Sequence, residues 1–176
     1  DCNLNKDCAR GMKEIEKLVR FWEQNPLLTG ESNFETGSKD FFEEHRSVYI
    51  NGGFGGKFDI RFLPPPRQNG QNMSILDLAC GIGFWVTELA MRGYVNLTAA
   101  DLTQNALAIT GKRLETYGLK ADLAKQNAEK LSFEDESFDH INCQGVIHHT
   151  PNTEQAIAQM ARVLKPGGTA SISVYY

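Results

Sequence analysis

The chain has 176 residues, with 22 acidic against 18 basic side chains and a formal net charge of −4. That length suits one domain with a real core, and the mild acidity, without a cluster of lysines or arginines, speaks against a surface that tracks nucleic-acid phosphates. No window approaches an apolar membrane span, no signal-peptide pattern opens the chain, and Cys2, Cys8, Cys80 and Cys143 show no C-x-x-C pairing, so neither a membrane helix nor a metal site is expected.

Up to about Asn72 the chain is polar and irregular, and it reads as a cap region (residues 1–72) ahead of a regular domain (residues 73–176). Lys13 to Trp22 carries Ile15, Leu18, Val19 and Trp22 at helical spacing, and Asn25-Pro26 ends it. Ser38 to Arg46 is a second helix, with Ser38 as N-cap ahead of Phe41 and Phe42. "NGGFGGKFD" and "PPPRQNGQN" are loop chemistry, the second a linker. The aromatics Phe21, Trp22, Phe34, Phe41, Phe42 and Tyr49 suit either a lid over an apolar ligand or ordinary packing.

From Met73 the texture alternates. Strands are expected at Met73–Ala79, Val95–Asp101, Lys120–Gln126, Phe138–Gln144 and Thr169–Tyr175. Helices are expected between them at Phe84–Arg92, Gln104–Tyr117 (Thr103 as N-cap) and Asn152–Leu164 (Pro151 near its first turn), the last stopped by Lys165-Pro166-Gly167-Gly168. Only "NAEKLSFEDES", between the third and fourth strands, lacks helical periodicity. The alternation implies an α/β fold with an open, doubly wound, mainly parallel sheet and right-handed crossovers. Cys80 and Cys143 fall in apparent core strands, as reduced thiols of a cytoplasmic protein would. The chain lacks a first methionine and stops within the apolar "TASISVYY", so both ends read as cut.

The stretch "ILDLACGIGFW" carries the chemistry. Gly81 and Gly83 let the backbone turn sharply and a ligand lie against it, and a strand, glycine turn and helix put that ligand at the carboxyl end of the strand. Dinucleotides and S-adenosylmethionine are both bound this way. A dinucleotide fingerprint wants a third glycine where Val86 stands, and Asp77 would repel a pyrophosphate. An acid there suits a ligand with a cationic amino group and a sulfonium. Asp101 ends the second strand ~20 residues after the loop, where an acid can accept from both ribose hydroxyls; it can also simply start the next helix.

Taken together, "ILDLACGIGF", "AADLT", "QNAEKLSFEDESFDHINCQGVIHHTPNTEQAIAQMARVLKPGG" and "TASISVYY" resemble class I S-adenosylmethionine-dependent methyltransferases, nearest the branch acting on quinones, sterols and other small molecules. The resemblance runs from Met73 to the end and implies a Rossmann-like sheet of seven strands, the last two an antiparallel hairpin. This chain supplies strands through the fifth only, an apparent truncation. It also implies roles. Asp77 would lie near the amino group of the methionine moiety, and Cys80, Gly81 and Gly83 would contact the cofactor through backbone, with Ala79 standing where the family has its first glycine. Asp101 would hold the ribose, Leu102 would pack on the adenine, and Asn127 and Ala128 would meet the adenine edge. Gln144 would lie beside the methionine moiety. Solvated loop polars are the plain alternative for Asn127 and Gln144.

The reaction implied is direct methyl transfer to a small-molecule acceptor, with His148 or His149 as a general base if the acceptor must lose a proton. The pair can equally pack and cap the following helix. The family's DNA-base amino-methyltransferases carry an Asn/Asp-Pro-Pro-aromatic motif where this chain has Gln-Gly-Val-Ile, which argues against nucleic acid. Two other readings stay open: a nicotinamide-dependent oxidoreductase on a similar sheet, although no Tyr-x-x-x-Lys pair is present, and a non-catalytic cofactor-binding fragment.

Overall fold

The computed structural model describes residues 14–27, 29–53, 55–65 and 70–174. Cys2, Cys8 and Lys13 lie outside the described residues, as do Tyr175 and Tyr176. Helix α1 covers residues 14–24, and α2 spans Lys39–Val48. Five strands follow, β1 (Ser74–Leu78), β2 (Asn96–Asp101), β3 (Asp122–Lys125), β4 (Phe138–Gln144) and β5 (Leu164–Ser173), with α3 (Phe84–Met91), α4 (Gln104–Thr116) and α5 (Thr153–Val163) between them. The sheet order is β3-β2-β1-β4-β5, every neighbouring pair parallel.

Strand period separates two cores. Ile75, Leu97 and Ala99 point to the face where Val86 and Leu89 of α3 and Leu107 and Leu114 of α4 pack.

 Leu76, Leu78, Ala100, Ile141 and Cys143 point to the other face, against Ala156, Met160 and Val163 of α5. With helices on both faces, the strands' carboxyl ends form one rim, and β1 at the centre of the sheet puts its following loop in the middle of that rim. A third cluster joins the amino-terminal part to the sheet unit: Phe41 and Phe42 of α2, both wholly buried, pack on Ile82 and Ile109.

One expectation needs correction and others gain detail. Cys80 is buried but lies in the loop after β1, not in a strand. Thr103 occupies the N-cap position of α4 as expected, but its side chain makes no capping bond, because its hydroxyl donates to Asp101 Oδ1 (2.9 Å). The free amides of Gln104 and Asn105 are instead taken by the Glu23 carboxylate of α1 (3.0 and 3.1 Å), which fastens that helix over the rim. Pro151 lies near the first turn of α5 as expected, just before the N-cap Asn152, whose side chain accepts from the Gln155 amide. Lys165–Gly168 falls within the bounds of β5 but bulges from it: pairing with β4 passes from Phe138–Leu164 to His140–Thr169, and Gly167 takes a φ of 72°, as the turn chemistry of this stretch predicts. No helix among the described residues is long and apolar enough to cross a membrane.

Candidate functional site

The loop from Ala79 to Gly83 turns through left-handed backbone at three positions, with φ of 58° at Ala79, 54° at Gly81 and 82° at Gly83. Ala79 is the exception, since a Cβ in this region costs about 1–2 kcal/mol. Ala79→Gly should therefore raise stability by about 0.5–1 kcal/mol, the relief of strain less the added freedom of the unfolded chain. Chemical denaturation checks this, and an unchanged midpoint would show that Ala79 carries no strain.

The two glycines serve different ends. A Cβ on Gly83 would lie 2.9 Å from both Cγ2 and Oγ1 of Thr110, so this glycine allows α4 to pack against the loop. A Cβ on Gly81 would meet only Leu27 Cδ1, at 3.5 Å, because Gly81 faces a cavity. That cavity, about 270 Å³, lies at the carboxyl ends of β1, β2 and β4. Ala79, Cys80, Gly81, Asp101, Leu102 and Gln144 line one part of it, and Trp22, His45, Tyr49, Phe84 and Trp85 line another. A smaller cavity of about 60 Å³ adjoins it, sharing Leu18, Ala79, Leu102 and Val146 and adding Asn127 and Ala128. A wider cleft of about 850 Å³ sits along Ser74, Asn96 and Asp122, at the starts of the strands; there parallel sheets do not assemble ligand sites.

Two carboxylates organise the loop. Asp101 is nearly buried, and its Oδ2 accepts from the Gly81 amide (3.0 Å) while Oδ1 accepts from the Thr103 amide and hydroxyl (both 2.9 Å). Burial pushes its carboxyl pKa up against the pull of these bonds. Asp77 does not line the cavity. It is buried beneath the loop, where Oδ2 accepts from the Val86 amide (3.0 Å) at the start of α3 and Oδ1 accepts from Asn142 Nδ2 (2.8 Å). Burial drives its pKa up to about 7.

Asn142 continues the chain of bonds. Its Oδ1 accepts from Gln144 Nε2 (2.8 Å), which also donates to Ser171 O (2.9 Å). Both of those partners can only accept, so the amide orientation is set and Gln144 Oε1 faces away from them, buried and without a hydrogen-bond partner among the described residues. Asn142 carried no signal in the sequence, because it becomes part of the site only when β4 pairs with β1 opposite Asp77.

The remaining expected residues divide. Asn127 Oδ1 accepts from the Glu129 amide (2.9 Å), a local turn at the edge of the smaller cavity. His149 borders the main cavity and His148 does not, although their ring centroids are 4.0 Å apart. The short 3-10 turn Ile147–His149 sends adjacent side chains in different directions, so one of the two reaches the rim. Burial, with the His148 charge, lowers the His149 pKa. Of the aromatics, Phe41 and Phe42 are core, Trp22 and Tyr49 line the cavity, and Phe21 and Phe34 are exposed. His45 and Arg113, both buried, were not singled out in the sequence at all.

Residues 75–168, the span from β1 into β5, match the methyltransferase domain family. The chain belongs to that family. It is 35% identical over 113 residues to the ubiquinone/menaquinone biosynthesis C-methyltransferase UbiE of Bartonella quintana, a match covering 62% of this chain and 43% of that one. It is 36% identical over 154 residues to phosphoethanolamine N-methyltransferase 2 of Caenorhabditis elegans, covering 78% of this chain and 35% of that one. The chain thus spans less than half the length of either relative. A solved structure of a SAM-dependent methyltransferase from Methanosarcina mazei matches with a TM-score of 0.54 at 32% identity, over 58% of this chain and 52% of that one. The methyltransferase domain therefore has the Rossmann-like fold of the S-adenosylmethionine-dependent class.

Proposed function

We propose that the protein transfers the methyl group of S-adenosylmethionine to a small-molecule acceptor by direct displacement. The observation that carries this reading is the pair of adjoining cavities over Gly81, reaching from Gln144 past Asp101 to Asn127. In it, Asp101 holds the ribose, Leu102 packs on the adenine, and Asn127 and Ala128 meet the adenine edge. Backbone of Ala79, Cys80 and Gly81 lies along the methionine arm, and Gln144 Oε1 is the open acceptor for its ammonium. Two observations support the fit: a Cβ-free surface at Gly81 and the unpartnered carbonyl oxygen of Gln144. When bound, S-adenosylmethionine supplies an electrophilic methyl carbon. The chain's own residues fix the geometry of approach and exclude water, which is catalysis by orientation. His149, at the rim, is the better placed of the two histidines to take a proton from the acceptor. The amino-terminal part acts as a cap, with α1 and α2 over the rim.

The nicotinamide reading is not favoured. The helix-start amide of Val86 that would greet a pyrophosphate already binds the Asp77 carboxylate. The two relatives above are named for transfer to carbon and to nitrogen.

Titration calorimetry with S-adenosylhomocysteine tests the assignment. Asp101→Ala should weaken binding by about 1–3 kcal/mol, the scale for hydrogen bonds to a charged group. Unchanged affinity in a folded variant would remove Asp101 from the ribose, and a wild-type protein that binds no S-adenosylhomocysteine would overturn the reading.

A further inference from the structure

The cavity has a polar end that the roles above do not use. Arg113 of α4 is wholly buried and reaches across to α2, where its Nη1 lies 3.1 Å from His45 Nδ1. Its other hydrogen-bond contacts are the carbonyl oxygens of Ile82 (3.4 Å) and Phe42 (3.5 Å), and its guanidinium faces the rings of Phe42 and Phe84. The carboxylates nearby are engaged elsewhere: Glu88 with Arg46 and Arg92, both at 2.6 Å, and Glu43 with the Tyr117 hydroxyl. Arg113 is therefore a buried cation without a carboxylate of its own among the described residues, an arrangement that normally calls for a counter-charge.

A guanidinium can only donate, so Nδ1 of His45 must accept and the ring proton sits on Nε2. Burial and the Arg113 charge push the His45 pKa down to about 3, so the ring is neutral at ordinary pH and this tautomer is the one present. No described residue accepts from Nε2, and His45 lines the cavity beside Tyr49 and Phe84. The cavity thus has an open donor at His45, backed by a positive charge, and an open acceptor at Gln144 Oε1. Opposite polarities in one apolar cavity match a zwitterionic amino-acid head. The donor lies next to the glycine loop, since Arg113 binds Ile82 O and the His45 ring packs on Phe84 at 5.9 Å.

We propose that His45, held in its Nε2–H tautomer by Arg113, binds the carboxylate of the cofactor's methionine arm. This rests on the methyltransferase reading and names a residue of the cofactor site outside the glycine loop and strand ends. It makes α2 part of that site, so the amino-terminal segment contributes to cofactor affinity.

Two substitutions and two ligands test it in the full chain. Asn at position 45 can place an oxygen near the position of Nδ1, keeping a partner for Arg113 but removing the distal donor, whereas Gln can place an amide nitrogen near the position of Nε2. His45→Asn should weaken S-adenosylhomocysteine at least about 10-fold. It should leave 5′-methylthioadenosine, which lacks the amino-acid arm, at wild-type affinity. His45→Gln should recover most of the lost affinity. If His45→Asn binds S-adenosylhomocysteine as wild type does, or weakens both ligands equally, the proposal is wrong. Binding of either ligand by the wild-type protein tests the underlying reading separately.

Discussion

Replacing Gly81 by valine should leave a folded protein that no longer binds S-adenosylhomocysteine, whereas the same change at Gly83 should cost the fold about 2–5 kcal/mol. Both glycines have positive φ, 54° and 82°, so both substitutions incur left-handed strain of about 1–2 kcal/mol or more. They differ in what the side chain meets. At Gly81 the nearest atom is a terminal methyl of Leu27 at ordinary contact distance, and the added bulk fills the cavity. At Gly83 it meets Thr110 Cγ2 and Oγ1 at 2.9 Å and the α4 backbone, at Thr110 Cα, at 3.2 Å. The backbone of a packed helix cannot yield cheaply, and overpacking adds about 1–3 kcal/mol. Against a typical stability of about 5–15 kcal/mol, that sum is severe. Chemical denaturation and calorimetry on both variants separate the effects. Normal ligand binding by Gly81→Val would show that the loop is not the cradle, and equal stabilities would refute the packing assignment of Gly83.

The second large effect is a pH dependence centred on Asp77. Its folded pKa of about 7 lies above the ordinary carboxylate value of 3.8, chiefly through burial. Between these values the folded protein holds a proton that the unfolded chain has lost. The contribution of Asp77 is therefore complete below pH 3.8, declines as pH rises, and levels off above about 7. A shift of this size corresponds to a loss on the order of 4 kcal/mol across the window. Asp77→Asn should remove most of that slope, because an amide does not titrate and its oxygen can still accept from the Val86 amide. A weaker slope from Asp101, whose pKa is also raised by burial, should remain. Denaturation midpoints measured from pH 5 to 8 decide the matter: a variant with the wild-type slope would show that Asp77 is ionised throughout. The same linkage bears on binding. A cationic group held at Gln144, two hydrogen bonds from Asp77, favours the ionised carboxylate, so affinity for such a ligand should rise as pH approaches 7.

The alternation of strand and helix from Met73, the glycine loop and the acid at the end of β2 were all readable from sequence. The reason is that each is a local property. Side-chain period distinguishes strand from helix over a handful of residues, glycine permits positive φ wherever the chain must turn, and a parallel sheet puts such a loop at its carboxyl rim. The stretch without helical periodicity between β3 and β4 indeed forms no helix. Continuous pairing of β5 begins at Thr169, where the sequence puts the strand, and Lys165-Pro166-Gly167-Gly168 keeps the local chemistry of a turn; only the pairing of Leu164 with Phe138, a tertiary contact, carries the strand back across it.

What the tertiary structure decided concerns partners distant in sequence. Asp77 is expected from sequence near the amino group of the methionine moiety, and it is the packing of α3 over β1 that sets it under the loop, tied to Val86 and to Asn142, which is 65 residues away. His148 and His149 are equivalent as a sequence pair, and a single turn of 3-10 helix brings only one of them to the cavity. His45 and Arg113 are 68 residues apart in different parts of the chain, each unremarkable on its helix. Their meaning as a buried pair exists only because α2 packs on α4, where loss of water forces every unpaired donor and acceptor to find a partner or to await one.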